Sequence, residues 1–221
     1  ETNFVAHVVI DVSETMKFEY ENRRKIDTAA FIAVAMASAV VAQTDMVAAT
    51  LFDQRILEMI PASSSHEVVG KISLALENAA LKDKTSIGQV LGLLSERIGR
   101  RKVVFIISDF FGDVDATFDG IKRLLFNKNE IILFHLVDPL ELDFSYPGRV
   151  ELVELEGSRR MLIEGRNIRE SYNKLFGEYL ARMKDMSHRF GIDYLLCNTG
   201  ENFGIALAKY LNTRMVTGGP G

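Results

Sequence analysis

Three stretches of the chain are unbroken apolar runs rich in β-branched side chains: FVAHVVID (4–11), KVVFIISD (102–109) and EIILFHLVD (130–138). A strand with one wet face alternates polar and apolar positions. A run without alternation predicts a strand covered on both faces, as in a parallel sheet. Apolar residues recur at helical spacing over 25–43, 65–79, 87–100 and 116–126. The segment DMVAATLFDQRILEMI (45–60) predicts two short strands joined at 53–55, a hairpin at one sheet edge. Strands and helices in alternation predict a doubly wound α/β fold. Its sheet is mostly parallel, with helices on both faces and one antiparallel edge strand.

Beyond Asp138 the texture changes. PLELDFSYPG (139–148) is loop-like, and RVELVELEGSRRMLIEG (149–165) predicts a small β-hairpin insertion turning at 156–159. A long amphipathic helix is expected over 167–190, then a strand in IDYLLCN and a closing helix in NFGIALAKYLN. The pattern gives a single domain over 1–215 and a disordered tail over 216–221.

Composition narrows the function classes. The chain has 221 residues, 48% of them hydrophobic, and a formal net charge of -4. It therefore lacks a global basic field to gather nucleic acid. The basic stretches RIGRRK (97–102) and GSRRMLIEGRNIR (157–169) have acids nearby and read as solvated faces. The single cysteine, Cys197, excludes an intrachain disulfide, fits a reducing, cytoplasmic setting, and lies in a strand-like run as a small core residue. The longest apolar stretch, 28–43, is Ala-rich and short for a bilayer, so a buried helix and no membrane segment are expected. The first residue is Glu1, so the chain is expected to be a fragment whose missing N-terminal region would carry any anchor.

The candidate chemistry lies at strand ends. Asp11, Asp109 and Asp138 each end one of the long runs, and Asp53 ends the strand before the first hairpin. In a parallel sheet these ends share one edge, where ligands bind, and clustered carboxylates there call for a cation or a proton. Asp53 and Asp138 read as helix N-caps. Asp11 opens the pattern D-x-S-x-T with Ser13 and Thr15, whose side chains converge in a tight turn. A carboxylate and two hydroxyls are hard oxygen donors suited to Mg²⁺ or Mn²⁺. Thr85 is a further hydroxyl, and equally a candidate N-cap with Ser86 for the helix that begins there.

Two families resemble this constellation. Asp11, Ser13, Thr15, Thr85 and Asp109 match the metal-ion-dependent adhesion site of von Willebrand factor A domains. Thr15 stands where a Ser is more usual, and Phe110 where many members have a glycine. The resemblance implies a divalent cation, Mg²⁺ or Mn²⁺, held by these five residues, with an open position for a carboxylate from a partner protein. The texts DVSETMKF, RRKIDTAAFIAVAMA, RRKVVFIISDFF, FHLVDPLELDF, RESYNKLFGEYL and GIDYLLCNTGENF resemble a bacterial branch called domain of unknown function 58. That likeness implies a non-catalytic interaction module that works beside a MoxR-type AAA+ ATPase on an unidentified protein client. The same D-x-S-x-T also approximates the haloacid-dehalogenase phosphotransferase motif. Asp11 would then be the nucleophile, Asp109 and Asp113 would bind metal, and Lys82 or Lys84 would bind phosphate. Ser13 stands against a phosphatase of that kind, which needs a general acid there, whereas a phosphotransferase tolerates it.

His7, His66, His135 and His188 have no metal-type spacing, and His7 and His135 read as satisfied core histidines. No phosphate-binding G-x-x-x-x-G-K-[ST] loop and no G-x-S-x-G elbow is present. Glu141 and Tyr172 match the branch's text and read as core or turn residues.

Overall fold

A computed structural model of the chain describes residues 5–82, 85–145, 148–153, 160–201 and 204. The chain opens with β1 (Val5–Asp11), a 3₁₀ turn (Glu14–Lys17), the short ribbon β2 (Glu19–Tyr20) and β3 (Arg23–Arg24), and α1 (Lys25–Ala42). The edge hairpin β4 (Met46–Phe52) and β5 (Ile56–Ser63) comes next, then α2 (Glu67–Glu77), α3 (Ile87–Arg97), β6 (Val103–Ser108), α4 (Val114–Phe126) and β7 (Glu130–Val137). The last third holds the one-turn α5 (Pro139–Leu142), the hairpin β8 (Arg149–Val153) and β9 (Arg160–Glu164), α6 (Gly165–Arg189) and β10 (Asp193–Asn198).

Six strands form the main sheet in the order β10-β7-β6-β1-β4-β5. All neighbours are parallel except β4 and β5. The continuous apolar runs are thus the central strands. β1 and β6 are buried almost throughout, because α1 and α2 pack on one face while α3, α4 and α6 pack on the other. This is the von Willebrand factor A-like, Rossmann-like α/β architecture with one antiparallel edge.

Helix boundaries shift for local reasons. α4 begins at Val114, two residues early, because the Asp113 carboxylate accepts the Ala116 N–H at 2.9 Å and caps it. α3 stops at Arg97 because Gly99 turns the chain at φ 81°. The basic stretch 97–102 forms that turn at the amino edge of the sheet, braced by Arg101 N–H to Asn127 O at 3.2 Å. α1 is the one described helix long and apolar enough to cross a membrane, yet half of it is buried in the fold. Its Ile26, Ala29, Ile32, Ala33, Met36, Ala37 and Val40 stripe packs on the sheet. Asp53 corrects an expectation: it caps no helix, since the chain turns straight into β5. Its carboxylate accepts the Arg55 N–H at 2.9 Å and braces the β4–β5 turn. The turn of the second hairpin (156–159), the expected closing helix apart from Gly204, and the tail at 216–221 lie outside the described residues.

Candidate functional site

The parallel register decides what meets at the carboxyl edge. Ile10 of β1 pairs with Ile107 of β6, so the next residues, Asp11 and Ser108, lie side by side, and Asp109 is one step beyond. Asp11 is fully buried and Asp109 is 5% exposed. Asp11 Oδ1 accepts the Ser13 N–H at 2.9 Å, which bends the chain into the 3₁₀ turn. Asp11 Oδ2 accepts the Ser108 hydroxyl at 2.6 Å and the Thr85 hydroxyl at 3.4 Å. Ser13 Oγ and Thr15 Oγ1 lie 3.1 Å apart on the same turn. Four hydroxyls and two carboxylates therefore converge at the ends of the two central strands. All five residues singled out from the sequence belong to this cluster. The N-cap reading of Thr85 fails, and Ser86, at the N-cap of α3, makes no side-chain capping bond either.

Charge is distributed unevenly over the cluster. Burial raises the Asp11 carboxyl to about 7, and the neighbouring charge of Asp109 adds to the rise, against the opposing hydrogen bonds from Ser108 and Ser13. Asp109 has a cation of its own. Lys25, the first residue of α1 and 2% exposed, donates from Nζ to Asp109 Oδ2 at 2.9 Å and to Glu141 Oε1 at 2.7 Å. Burial opposes the lysine charge, but these two carboxylates outweigh it and hold its pKa above the ordinary value. The Phe18 ring lies 5.6 Å from Nζ. Glu141 is fixed in turn: its Oε2 accepts the Asp138 N–H at 2.9 Å, while Asp138 caps α5 through the Leu140 N–H at 2.9 Å. Asp138 thus keeps the capping role expected of it, and the Thr199 hydroxyl closes its second oxygen at 3.1 Å.

The cluster opens onto a groove of about 380 Å³ lined by Thr15, Lys17, Phe18, Lys25, Asp109 and Phe111, among others. Phe111 is 48% exposed at its rim. The floor behind is tied together across β6 and α6. Phe110, in the left-handed region at φ 49°, donates its N–H to Ser108 Oγ at 2.9 Å, and its carbonyl accepts the Tyr179 hydroxyl at 2.7 Å. The Tyr172 ring stacks on Phe176 along α6, with centroids 5.6 Å apart.

The model of the family described as protein of unknown function DUF58 matches residues 1–179. The chain belongs to the DUF58 family. No curated protein matches this DUF58 domain in sequence. Among solved structures it is similar to the conserved hypothetical protein BatB from Bacteroides thetaiotaomicron. The TM-score is 0.61 at 12% identity, over 97% of this chain and 100% of that one. An aerotolerance-related membrane protein from Bacteroides fragilis gives 0.58 at 13% identity, over 96% and 100% of the two chains. The vWF domain of the type V pili tip protein Mfa5 from Porphyromonas gingivalis gives 0.50 at 11%, over 99% and 97%. At these identities the likeness carries the fold alone, a von Willebrand factor A-like one.

In this DUF58 domain the residues fit a small hard cation. Two carboxylates and a set of neutral hydroxyls converge, and the hydrogen bonds to Asp11 come from hydroxyls and a backbone N–H, not from a cation. Among the described residues no three His, Cys, Asp or Glu side chains form a metal-binding group, so a cation here would depend on the hydroxyls for its remaining ligands. Of the residues named for the phosphotransferase alternative, Asp113 caps α4 through the Ala116 N–H, and Lys84 lies outside the described residues.

Three contributors carry little mark in the sequence. Ser108 is hidden inside an apolar run. Lys25 and Glu141 are 116 positions apart and meet only in the fold. A signal for Lys25 does exist: a lysine in the first turn of a helix opposes the dipole there, so it calls for a nearby anion.

Proposed function

We propose that this domain is a non-catalytic protein-interaction module with a metal-ion-dependent adhesion site. Asp11, Ser13, Thr15, Thr85 and Asp109 would hold Mg²⁺ or Mn²⁺, and an acidic side chain of a partner would complete the coordination. The observation that supports it is the convergence of Thr85, Ser108 and the Ser13 turn on one buried carboxylate at the open carboxyl edge. The cation supplies charge for a carboxylate–carboxylate contact that would otherwise be repulsive. The protein's own groups orient Asp11 from both of its oxygens and keep it dry. Phe111 and Phe18 offer an apolar rim around the contact. The working partner in this reading is a MoxR-type AAA+ ATPase acting with a protein client in the cytoplasm.

Pull-down of the ATPase and client from lysate, with Mg²⁺ and with EDTA, tests the reading. Wild type is expected to capture them only with Mg²⁺, and an Asp11→Ala, Ser13→Ala double variant under neither condition. The same partner set in all four samples sinks the metal bridge.

A further inference from the structure

The metal reading leaves the buried lysine of the groove, Lys25, without a role. A lysine that is 2% exposed stands beside the candidate ligands and already neutralises one of them. Its side chain is held at three points, by Asp109 Oδ2, by Glu141 Oε1 and by the face of Phe18. Its backbone N–H donates to Phe18 O at 3.1 Å, which ties the start of α1 to the end of the 3₁₀ turn that carries Ser13 and Thr15. Such a group is not a mobile surface cation. It is part of the edge's charge.

Asp11, Asp109 and Glu141 carry three negative charges when ionised, and Lys25 one positive charge. Lys25 touches Asp109 and Glu141, whereas the hydrogen bonds to Asp11 come from neutral groups. The edge therefore separates into a self-compensated part, Lys25–Asp109–Glu141, and an uncompensated carboxylate at Asp11. A dication entering beside Asp11 meets one carboxyl group with no ammonium on it and a second that already shares its charge with one.

Resting on the adhesion-site reading, we propose that Lys25 is a built-in counter-cation that sets the site's metal affinity low until a partner carboxylate arrives. Removing its charge adds one net negative charge at a group that touches a candidate ligand, Asp109, at 2.9 Å. At the effective dielectric of a partly buried site that strengthens dication binding by at least about tenfold. Lys25 is thus a positioning and affinity-setting residue, and it would tie Mg²⁺ retention to partner binding. The same charge holds Asp109 in place without metal, so the edge keeps its shape while it waits.

Isothermal titration of Mg²⁺, with circular dichroism and thermal unfolding in EDTA, tests this on the whole chain. Lys25→Met is expected to bind Mg²⁺ at least about tenfold more tightly than wild type and to unfold at a lower temperature in EDTA, with Mg²⁺ restoring much of the loss. Lys25→Arg keeps the charge and is expected to retain wild-type affinity. If Lys25→Met does not fold, Glu141→Gln reads the same charge count from the other side. Its side chain is 20% exposed, and its affinity is expected to fall several-fold. Equal affinities for wild type, Lys25→Met and Glu141→Gln overturn the counter-cation while leaving the adhesion site standing. A purely structural lysine gives that result together with a lowered melting temperature. Titrations in which Asp11→Ala binds Mg²⁺ like wild type, or in which no variant binds it at all, overturn both.

Discussion

His7 shows how a single buried residue in this fold answers to pH. It lies in β1, 3% exposed, with Nε2 2.7 Å from the Thr50 hydroxyl of β4, while Nδ1 has no partner among the described residues. The expectation of a satisfied core histidine holds for one ring nitrogen and fails for the other. Burial, with the charge of Lys102 in support, lowers its pKa from 6.5 to about 3. His135, against Tyr194 Oη at 2.7 Å, is lowered to about 4, chiefly by burial. Well above pH 6.5 both rings are neutral folded and unfolded, and their titration contributes nothing. Below it the unfolded rings bind protons that the folded rings refuse, so the two histidines cost stability as pH falls from about 6.5 toward 4, against Asp11, whose raised pKa acts with the opposite sign. His7→Val alone leaves the Thr50 hydroxyl without its ring partner, a cost of about 1–3 kcal/mol. The His7→Val, Thr50→Val pair removes both partners and is expected to recover most of that loss. Urea unfolding at pH 7.5 and pH 5 checks both statements. Relative to wild type, the pair should be spared the His7 share of the loss between pH 7.5 and pH 5; His135 titrates in both proteins, and so does Asp11, whose raised pKa acts with the opposite sign.

At the scale of elements, the crossing of α3 and α4 governs where Thr85 stands. A methyl group added at Gly88 would lie 2.2 Å from Ala116 O, and one at Gly120 would lie 2.4 Å from Gly88 O. The two helices touch backbone to backbone, and Thr85 leads directly into α3. Gly120→Ala must therefore push α3 away from α4, at a cost of about 1–3 kcal/mol for overpacking, and shift Thr85 relative to Asp11. Gly70, on the exposed face of α2, has nothing within 4 Å of an added methyl. Gly70→Ala is expected to stabilise by about 0.5–1 kcal/mol, the ordinary gain of alanine over glycine inside a helix. Thermal melts should move in opposite directions for the two variants, and Mg²⁺ titration should weaken only for Gly120→Ala. None of this is legible in a single sequence, where Gly88, Gly120 and Gly70 look alike inside helical patterns. The central strands were legible, because an apolar run without alternation has to be covered on both faces. Asp11 and Asp109 were legible as well, because a polar residue at the end of such a run emerges at the carboxyl edge of the sheet. Ser108, Lys25 and Glu141 were not, since their roles come from register and from contacts across the edge.

For the molecule as a whole, the location of the site couples it to the folding equilibrium. β1 and β6, the strands that present Asp11 and Asp109, separate the two hydrophobic clusters and contribute to both. Asp11 cannot be displaced without disturbing the strand whose neighbours are β4 and β6. Ligand binding at this position therefore acts on the cooperative unit rather than on a fraying loop. A cation that binds only the folded chain stabilises it by RT ln(1 + [L]/Kd). With neutral hydroxyls supplying most ligands and Lys25 opposing the charge, a dissociation constant on the order of 1 mM is expected. At about 10 mM Mg²⁺ that gives about 1.4 kcal/mol, which for a domain of this size raises the melting temperature by about 3–6 °C. Asp11→Asn keeps the shape and removes the uncompensated charge, so its melting temperature should be the same with Mg²⁺ as with EDTA. A shift of equal size in wild type and Asp11→Asn would show that the ion acts elsewhere on the surface. A wild-type shift well above about 6 °C would mean that the site binds tightly alone, against the role assigned to Lys25.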